Sequence, residues 1–112
     1  MNTEAAIQSA IVRYLRFQLP TSYRCFAVPN GAQRTASGRP ANAVSGLTPG
    51  VPDLCIIGPM GKAHFIEVKT TKGRLTPAQH DFAQYCLTNL IPWALCRSVQ
   101  DVDVAIRQWK II

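Results

Sequence analysis

Two apolar runs, Leu54–Ile57 and Phe65–Val68, lie on either side of Gly58-Pro59-Met60-Gly61-Lys62. Two glycines and a proline in five residues mark a tight turn, so residues 52–58 and 62–70 are predicted to fold back as an antiparallel hairpin. Side chains alternate along a strand. One face of the second strand therefore carries Ala63, Phe65, Glu67 and Lys69, and the other carries His64, Ile66 and Val68. A turn near residues 58–62 pairs the start of the first strand with the end of the second, which brings Asp53 beside Glu67. Lys69 points the same way as Glu67, about 6–7 Å further along. Charges are rarely left in such runs without a partner.

Helix and strand signals surround this hairpin. In residues 3–18, Ile7, Ile11 and Leu15 recur every four positions, with Thr3 as N-cap, Glu4 in the first turn and Pro20 as terminator. Residues 23–28 read as a first strand. Residues 29–50 are rich in Gly, Pro, Ser and Asn and carry Arg34 and Arg39. A loop of that length in a small domain tends to be functional or mobile, and a short helix around residues 40–45 fits within it. Residues 76–90 form a predicted helix with Thr76 as N-cap, Pro77 in the first position and Gln79 placed to complete a capping box. Residues 92–97 read as a short strand. Residues 98–110 read as a last helix, with Ser98 capping and Asp101 completing a second box. The order helix, strand, strand, strand, helix, strand, helix implies an α/β layered domain with a mixed sheet, expected to be a single domain over residues 1–112.

Charge points to a partner. The chain has 12 Lys and Arg against 6 Asp and Glu, a net +6 over 112 residues. No acid occurs between Glu4 and Asp53, whereas Arg13, Arg16, Arg24, Arg34 and Arg39 all fall there. Nucleic acid is the leading anionic partner for such a field; a merely basic domain is the other reading. Cys25, Cys55, Cys86 and Cys96 have no zinc-finger spacing. With no signal peptide ahead of them, they read as buried reduced thiols in a cytoplasmic, non-secreted protein. No apolar run approaches the ~20 residues of a membrane span.

Two close carboxylates repel unless a cation joins them. A hard divalent ion such as Mg²⁺ or Mn²⁺ prefers oxygen ligands and keeps waters for chemistry, and a neighbouring lysine can orient a water or stabilise developing negative charge. A basic surface would hold a phosphate backbone over the ion. The chemistry implied by Asp53, Glu67 and Lys69 is metal-assisted phosphodiester hydrolysis. An exposed Glu-Lys strand pair with Asp53 merely opening the other strand is the competing reading, because the bare pattern is common. Glu4 continues the Ile7–Ile11 stripe and is expected to extend the buried face of its helix. Gln79 heads the stripe Phe82, Ala83, Cys86 and Leu90; capping and a role beside Glu67 are compatible.

The segments "PGVPDL" and "FIEVKTTKGRLTPAQ" resemble the PD-(D/E)xK nuclease superfamily and, within it, the virus-type replication-repair nuclease (VRR-NUC) domain. "PNG" at residues 29–31 and "CRSVQDV" at 96–102 also look like that domain. The resemblance spans nearly the whole chain and implies a restriction-endonuclease-like αβββαβ core. It implies that Asp53, Glu67 and the Val68 backbone carbonyl bind Mg²⁺ or Mn²⁺, that Lys69 positions the attacking water, that Gln79 supports the site, and that Glu4 reaches the metal through water. Standalone members resemble homodimeric Holliday-junction resolvases, so the expectation is a DNA-repair or recombination endonuclease of bacterial or phage-like origin, acting as a homodimer on branched DNA. The alternatives are a noncatalytic nucleic-acid-binding module, or a nickase, flap or restriction-like endonuclease.

Lys72 and Arg74, following the second hairpin strand, and Arg34 and Arg39 in the long loop are candidate DNA contacts. His64, opposite Glu67, reads as structural or superficial, and His80 as solvated. Trp93 and Trp109 read as core or dimer-interface residues rather than base-stacking platforms.

Overall fold

The computed structural model describes residues 3–29 and 45–112. The predicted short helix around 40–45, the "PNG" glycine, Arg34 and Arg39 therefore lie, apart from Ser45, outside the described residues. Described are three helices, α1 (Glu4–Gln18), α2 (Pro77–Thr88) and α3 (Val99–Gln108), and four strands, β1 (Arg24–Ala27), β2 (Leu54–Ile57), β3 (Ala63–Val68) and β4 (Trp93–Cys96). The sheet order is β1-β2-β3-β4, with β1/β2 and β2/β3 antiparallel and β3/β4 parallel. The α/β class, the mixed sheet and the element order agree with the sequence reading. No described helix is long and apolar enough to cross a membrane.

The hairpin turns through a short 3₁₀ segment, Pro59–Gly61, closed by the Gly58 N–H donating to the Lys62 carbonyl at 2.9 Å. Gly58 is required there for close approach: a Cβ would stand 2.4 Å from the Tyr23 ring. On one face of β3, Ile66 and Val68 join Ile7, Ile11 and Leu15 of α1 and Val102 and Ile106 of α3 in the buried core. His64 also faces that side. It is buried, its Nδ1 lies 3.1 Å from the Ile56 carbonyl, and its ring centroid is 5.2 Å from that of Trp109. Burial lowers its pKa, which suits a structural, neutral imidazole. The opposite face carries Phe65 edge-on to Phe82 of α2, with centroids 5.5 Å apart, so α2 lies across the sheet from α1 and α3.

Caps fix the helix starts. The Thr3 hydroxyl accepts from the Ala6 N–H at 3.1 Å, and α1 and α3 are tied together by Tyr14 donating to Asp103, which also pairs with Arg107 at 3.0 Å. The second capping box is not completed as expected. Ser98 accepts from the Asp101 N–H at 3.1 Å, but the Asp101 carboxylate accepts from the Arg97 N–H at 2.8 Å rather than from Ser98. Helices α2 and α3 end two residues before their predicted limits. In each a non-glycine residue takes the left-handed conformation, Leu90 (φ 57°) and Lys110 (φ 59°). The next N–H then bonds back to the last turn, Ile91 to Cys86 at 2.8 Å and Ile111 to Ile106 at 2.9 Å, the pairing of a Schellman motif.

Gly50 seats α2 on the segment leading into β2. Its φ is +86°, and a Cβ there would lie 2.2 Å from the Ala78 carbonyl oxygen. Gly50→Ala should lower stability by about 2 kcal/mol or more, read as a lower urea midpoint at unchanged m-value. An unaltered midpoint would show that α2 is not seated on this glycine.

Candidate active site

Asp53 directly precedes β2, between the buried Pro52 and Leu54. Its carbonyl accepts from the Val28 N–H at 2.9 Å, prolonging the β1/β2 ladder. The β2/β3 register pairs Leu54 with Ile66, so the next pair outward is Asp53 opposite Glu67, as alternation predicts. The Asp53 Oδ2 accepts from the Val68 N–H at 2.7 Å, which fixes the carboxylate to the strand bearing Glu67.

Glu67 is only 2% exposed. Its Oε2 accepts from Gln79 Nε2 at 3.3 Å, while its Oε1 is buried without a hydrogen-bond partner. Burial foremost, then the adjacent Asp53 carboxyl and the more remote Glu4, push its pKa up to about 9, against the opposing pull of Lys69. At neutral pH the metal-free site therefore holds a protonated Glu67.

Gln79 makes both a cap and a contact with Glu67, and one dictates the other. Its Oε1 accepts from the Thr76 N–H at 2.9 Å while Thr76 Oγ1 accepts from the Gln79 N–H at 3.2 Å, a complete capping box. With the amide oxygen committed to the cap, the NH₂ is left facing Glu67. Lys69, 8% exposed, extends β3 by donating its N–H to the Cys96 carbonyl at 3.1 Å. Asp53, Glu67, Lys69 and Gln79 thus meet at one end of the sheet on the α2 side. Lys72 and Arg74 are exposed on the turn that follows.

Glu4 is a correction. It is exposed, as is the whole first turn of α1, because the buried stripe begins only at Ile7. Its helix packs on the other face of the sheet, and its charge helps to raise the Glu67 pKa. Among the described residues no three His, Cys, Asp or Glu side chains converge as a metal-binding group. A pair of carboxylates with one unpartnered buried oxygen fits a hard cation that keeps most of its own waters, and does not fit a thiolate- or imidazole-bound metal.

Arg97 was legible only as part of "CRSVQDV", with no role attached. Its Nη1 donates to the carbonyls of Thr70, Thr71 and Gly73 at 2.5, 3.2 and 2.7 Å, directly behind Lys69.

The family model described as the VRR-NUC domain matches residues 2–100. The chain belongs to the VRR-NUC family. A solved structure described as a VRR_NUC domain matches with a TM-score of 0.62 at 19% identity, covering 96% of this chain and 99% of that one; at that identity the likeness is one of fold. No curated protein sequence matches the chain. VRR-NUC is a nuclease family, with DNA as the implied substrate class. Its match ends at residue 100, yet α3 beyond it supplies Val102 and Ile106 to the core of this VRR-NUC chain.

The raised pKa of Glu67 gives a stability prediction. Between the ordinary carboxylate range and about 9, the folded metal-free chain binds a proton that the unfolded chain has lost, so stability falls as pH rises through that window. Glu67→Gln should remove this loss, raising stability in EDTA at pH 8 by about 1–3 kcal/mol, with little gain near pH 4.5. Thermal melts of both proteins across pH read this directly; a pH-independent difference would overturn it.

Proposed function

We propose that the chain is a Mg²⁺- or Mn²⁺-dependent, structure-selective DNA endonuclease, most specifically a Holliday-junction resolvase acting as a homodimer. The observation that carries the catalytic part is Asp53 and Glu67 facing each other, with a buried Glu67 oxygen left unpartnered. Asp53, Glu67 and the Val68 carbonyl would hold the ion, which supplies a polarised water and charge neutralisation at the scissile phosphate. Gln79 holds Glu67 in its rotamer, and Asp53 is held by the Val68 N–H. Lys69 orients the water whose oxygen bonds to phosphorus as the ester bond to the leaving oxygen breaks. Glu4 acts through a bridging water, and Lys72 and Arg74 contact the flanking phosphates, joined by Arg34 and Arg39.

The dimer reading is supported by the outer face of α2. Leu87 is 70% and Leu90 88% exposed, and Tyr85 and Met60 are exposed beside them. A groove of about 440 Å³ lies between Phe65, Phe82, Tyr85 and Leu90, and one of about 280 Å³ between His80, Leu87 and Trp93. Leu90 is held in a left-handed conformation costly for a residue with a Cβ. The only charge on α2 is Asp81. Two copies of a chain with net charge +6 repel over most of their surface, so a face rich in exposed apolar side chains, with Lys62 at one groove and Asp81 on the helix, suits a two-fold, self-complementary contact.

Asp53→Asn and Lys69→Ala should each reduce cleavage of a four-way junction by at least about 100-fold while leaving DNA affinity within a few-fold. The panel includes flap and linear substrates with Mg²⁺ and Mn²⁺. Cleavage confined to flaps or linear duplex would replace the resolvase reading, and cleavage of nothing would leave a binding module. Log affinity should fall linearly with log salt, and removing Lys72 and Arg74 should reduce that slope by about 2.

Leu87→Glu with Leu90→Glu should convert a dimer into a monomer by sedimentation. The paired incisions of a junction should fall away while single nicks persist. A wild type that is monomeric at micromolar concentration would remove the dimer.

A further inference from the structure

The turn after β3 carries a device that the roles above do not use. Residues 70–73 follow Lys69 directly, and the Gly73 N–H donates to the Thr70 carbonyl at 3.1 Å to close the turn. The Thr70 carbonyl, which also accepts from Gly73, and the carbonyls of Thr71 and Gly73 converge on Nη1 of Arg97, whose two N–H groups are shared among the three. Hydrogen bonds from an ionised donor are roughly twice as strong as neutral ones. Arg97 is itself anchored on both sides. Its predecessor Cys96 is fully buried and accepts from the Lys69 N–H, and its own N–H donates to Asp101. One residue thereby ties the end of β3, the turn and the start of α3 together.

The consequence falls on Lys69. Gly73 lies flat against the lysine stem: a Cβ there would meet Lys69 Cβ and Cδ at 3.3 Å and Thr70 Oγ1 at 3.2 Å. A lysine side chain has rotamer entropy to lose on being fixed, and a wall against its stem removes that freedom before substrate arrives. We infer that Arg97 is a positioning residue for Lys69: by gathering the three carbonyls it presses the turn, through Gly73, against the lysine stem and holds the ammonium beside Asp53 and Glu67. Its catalytic consequence rests on the proposed role of Lys69 in orienting water, and falls on the chemical step rather than on DNA binding.

Two readouts on the purified 112-residue chain test it. The first is the rate at which each lysine is acylated by a water-soluble amine-reactive ester, followed by mass spectrometry in EDTA. Arg97→Ala should raise the rate at Lys69 about tenfold, as a local opening of the turn would. The rates at the exposed Lys62 and Lys110 should stay unchanged. Arg97→Lys, whose ammonium offers three donors, should restore most of the protection. Gly73→Ala, which keeps the clamp but displaces the stem, should also raise reactivity. If Arg97→Ala does not fold, Arg97→Gln carries the same comparison. Unchanged Lys69 reactivity overturns the proposal, whether or not the chain cuts any DNA, so failure of the nuclease reading is told apart from failure of this one. The second readout is turnover on whichever substrate the wild type cleaves. There Arg97→Ala should lower kcat about 10- to 100-fold with KM and DNA affinity within twofold and with rescue by Arg97→Lys. A rise in KM at unchanged kcat overturns it.

Discussion

The rest of the site depends on one electrostatic conflict, a half-buried carboxyl forced against one that water scarcely reaches. Strand pairing sets it up without any contribution from the carboxyls themselves. The Leu54/Ile66 register and the seating of Pro52 place Asp53 opposite Glu67 whatever their charges are. Burial then decides the protonation state: a group 2% exposed cannot be stabilised by solvent, and Asp53 adds its charge to the penalty. The metal-free protein meets the conflict by keeping a proton on Glu67, and the Gln79 amide and Val68 N–H take up only part of the remaining oxygen valence. The unpartnered Oε1 is what is left over, and it is the observation behind the cation proposed above, since a divalent ion would resolve both the repulsion and the missing partner at once.

The supports come from three separate parts of the chain. The hairpin supplies Asp53, Glu67 and Lys69. Helix α2 supplies Gln79, whose amide is orientated by its own capping box and whose backbone is seated on Gly50. The β4/α3 junction supplies Arg97, which reaches back to the turn behind Lys69. None of these supports depends on DNA or metal, so the geometry is organised by folding, at the cost of holding an acid well outside its ordinary range. Local stability yielded to site geometry in this way is a common pattern in enzymes.

Much of this was legible in the sequence, and the limits have physical causes. The hairpin, the alternation and the Thr76/Gln79 box were readable because they depend on spacing alone. The stripe Ile7, Ile11 and Leu15 was readable for the same reason, but it led to the error at Glu4. Periodicity assigns a face to a helix without saying how far along the helix the sheet extends, and the sheet here stops covering α1 before its first turn. The helix ends were misplaced because Leu90 and Lys110 end them in a conformation usually left to glycine, so no residue type announced it. Asp101 was placed one donor away from its true partner, because a carboxylate four residues beyond Arg97 reaches that N–H as readily as the cap. The long-range partners of Arg97 could not be read at all: a guanidinium gathering carbonyls some 24 to 27 positions away leaves no periodic trace.

The two faces of the sheet differ in a way that bears on how the chain meets its surroundings. On the α1/α3 face the side chains turned toward the sheet form the enclosed core, although Phe17 and Val104 of those helices are exposed, and the histidine there is buried with its pKa lowered. On the α2 face only Cys86 of the helix is fully buried; Phe82 and Ala83 are half-buried, and Tyr85, Leu87 and Leu90 stand in solvent. A chain with apolar residues to spare would seat α2 more deeply if stability alone set the packing, because each buried leucine contributes about 1.5–3 kcal/mol. Deeper seating would carry Gln79 toward the sheet with the rest of the helix and compress its 3.3 Å contact with Glu67. The shallow seat on Gly50 keeps the amide at hydrogen-bonding range from the carboxyl and leaves Leu87 and Leu90 outside. The exposed leucines and the amide that meets Glu67 thus belong to one helix and its C-terminal turn, seated at its N-terminal end on Gly50.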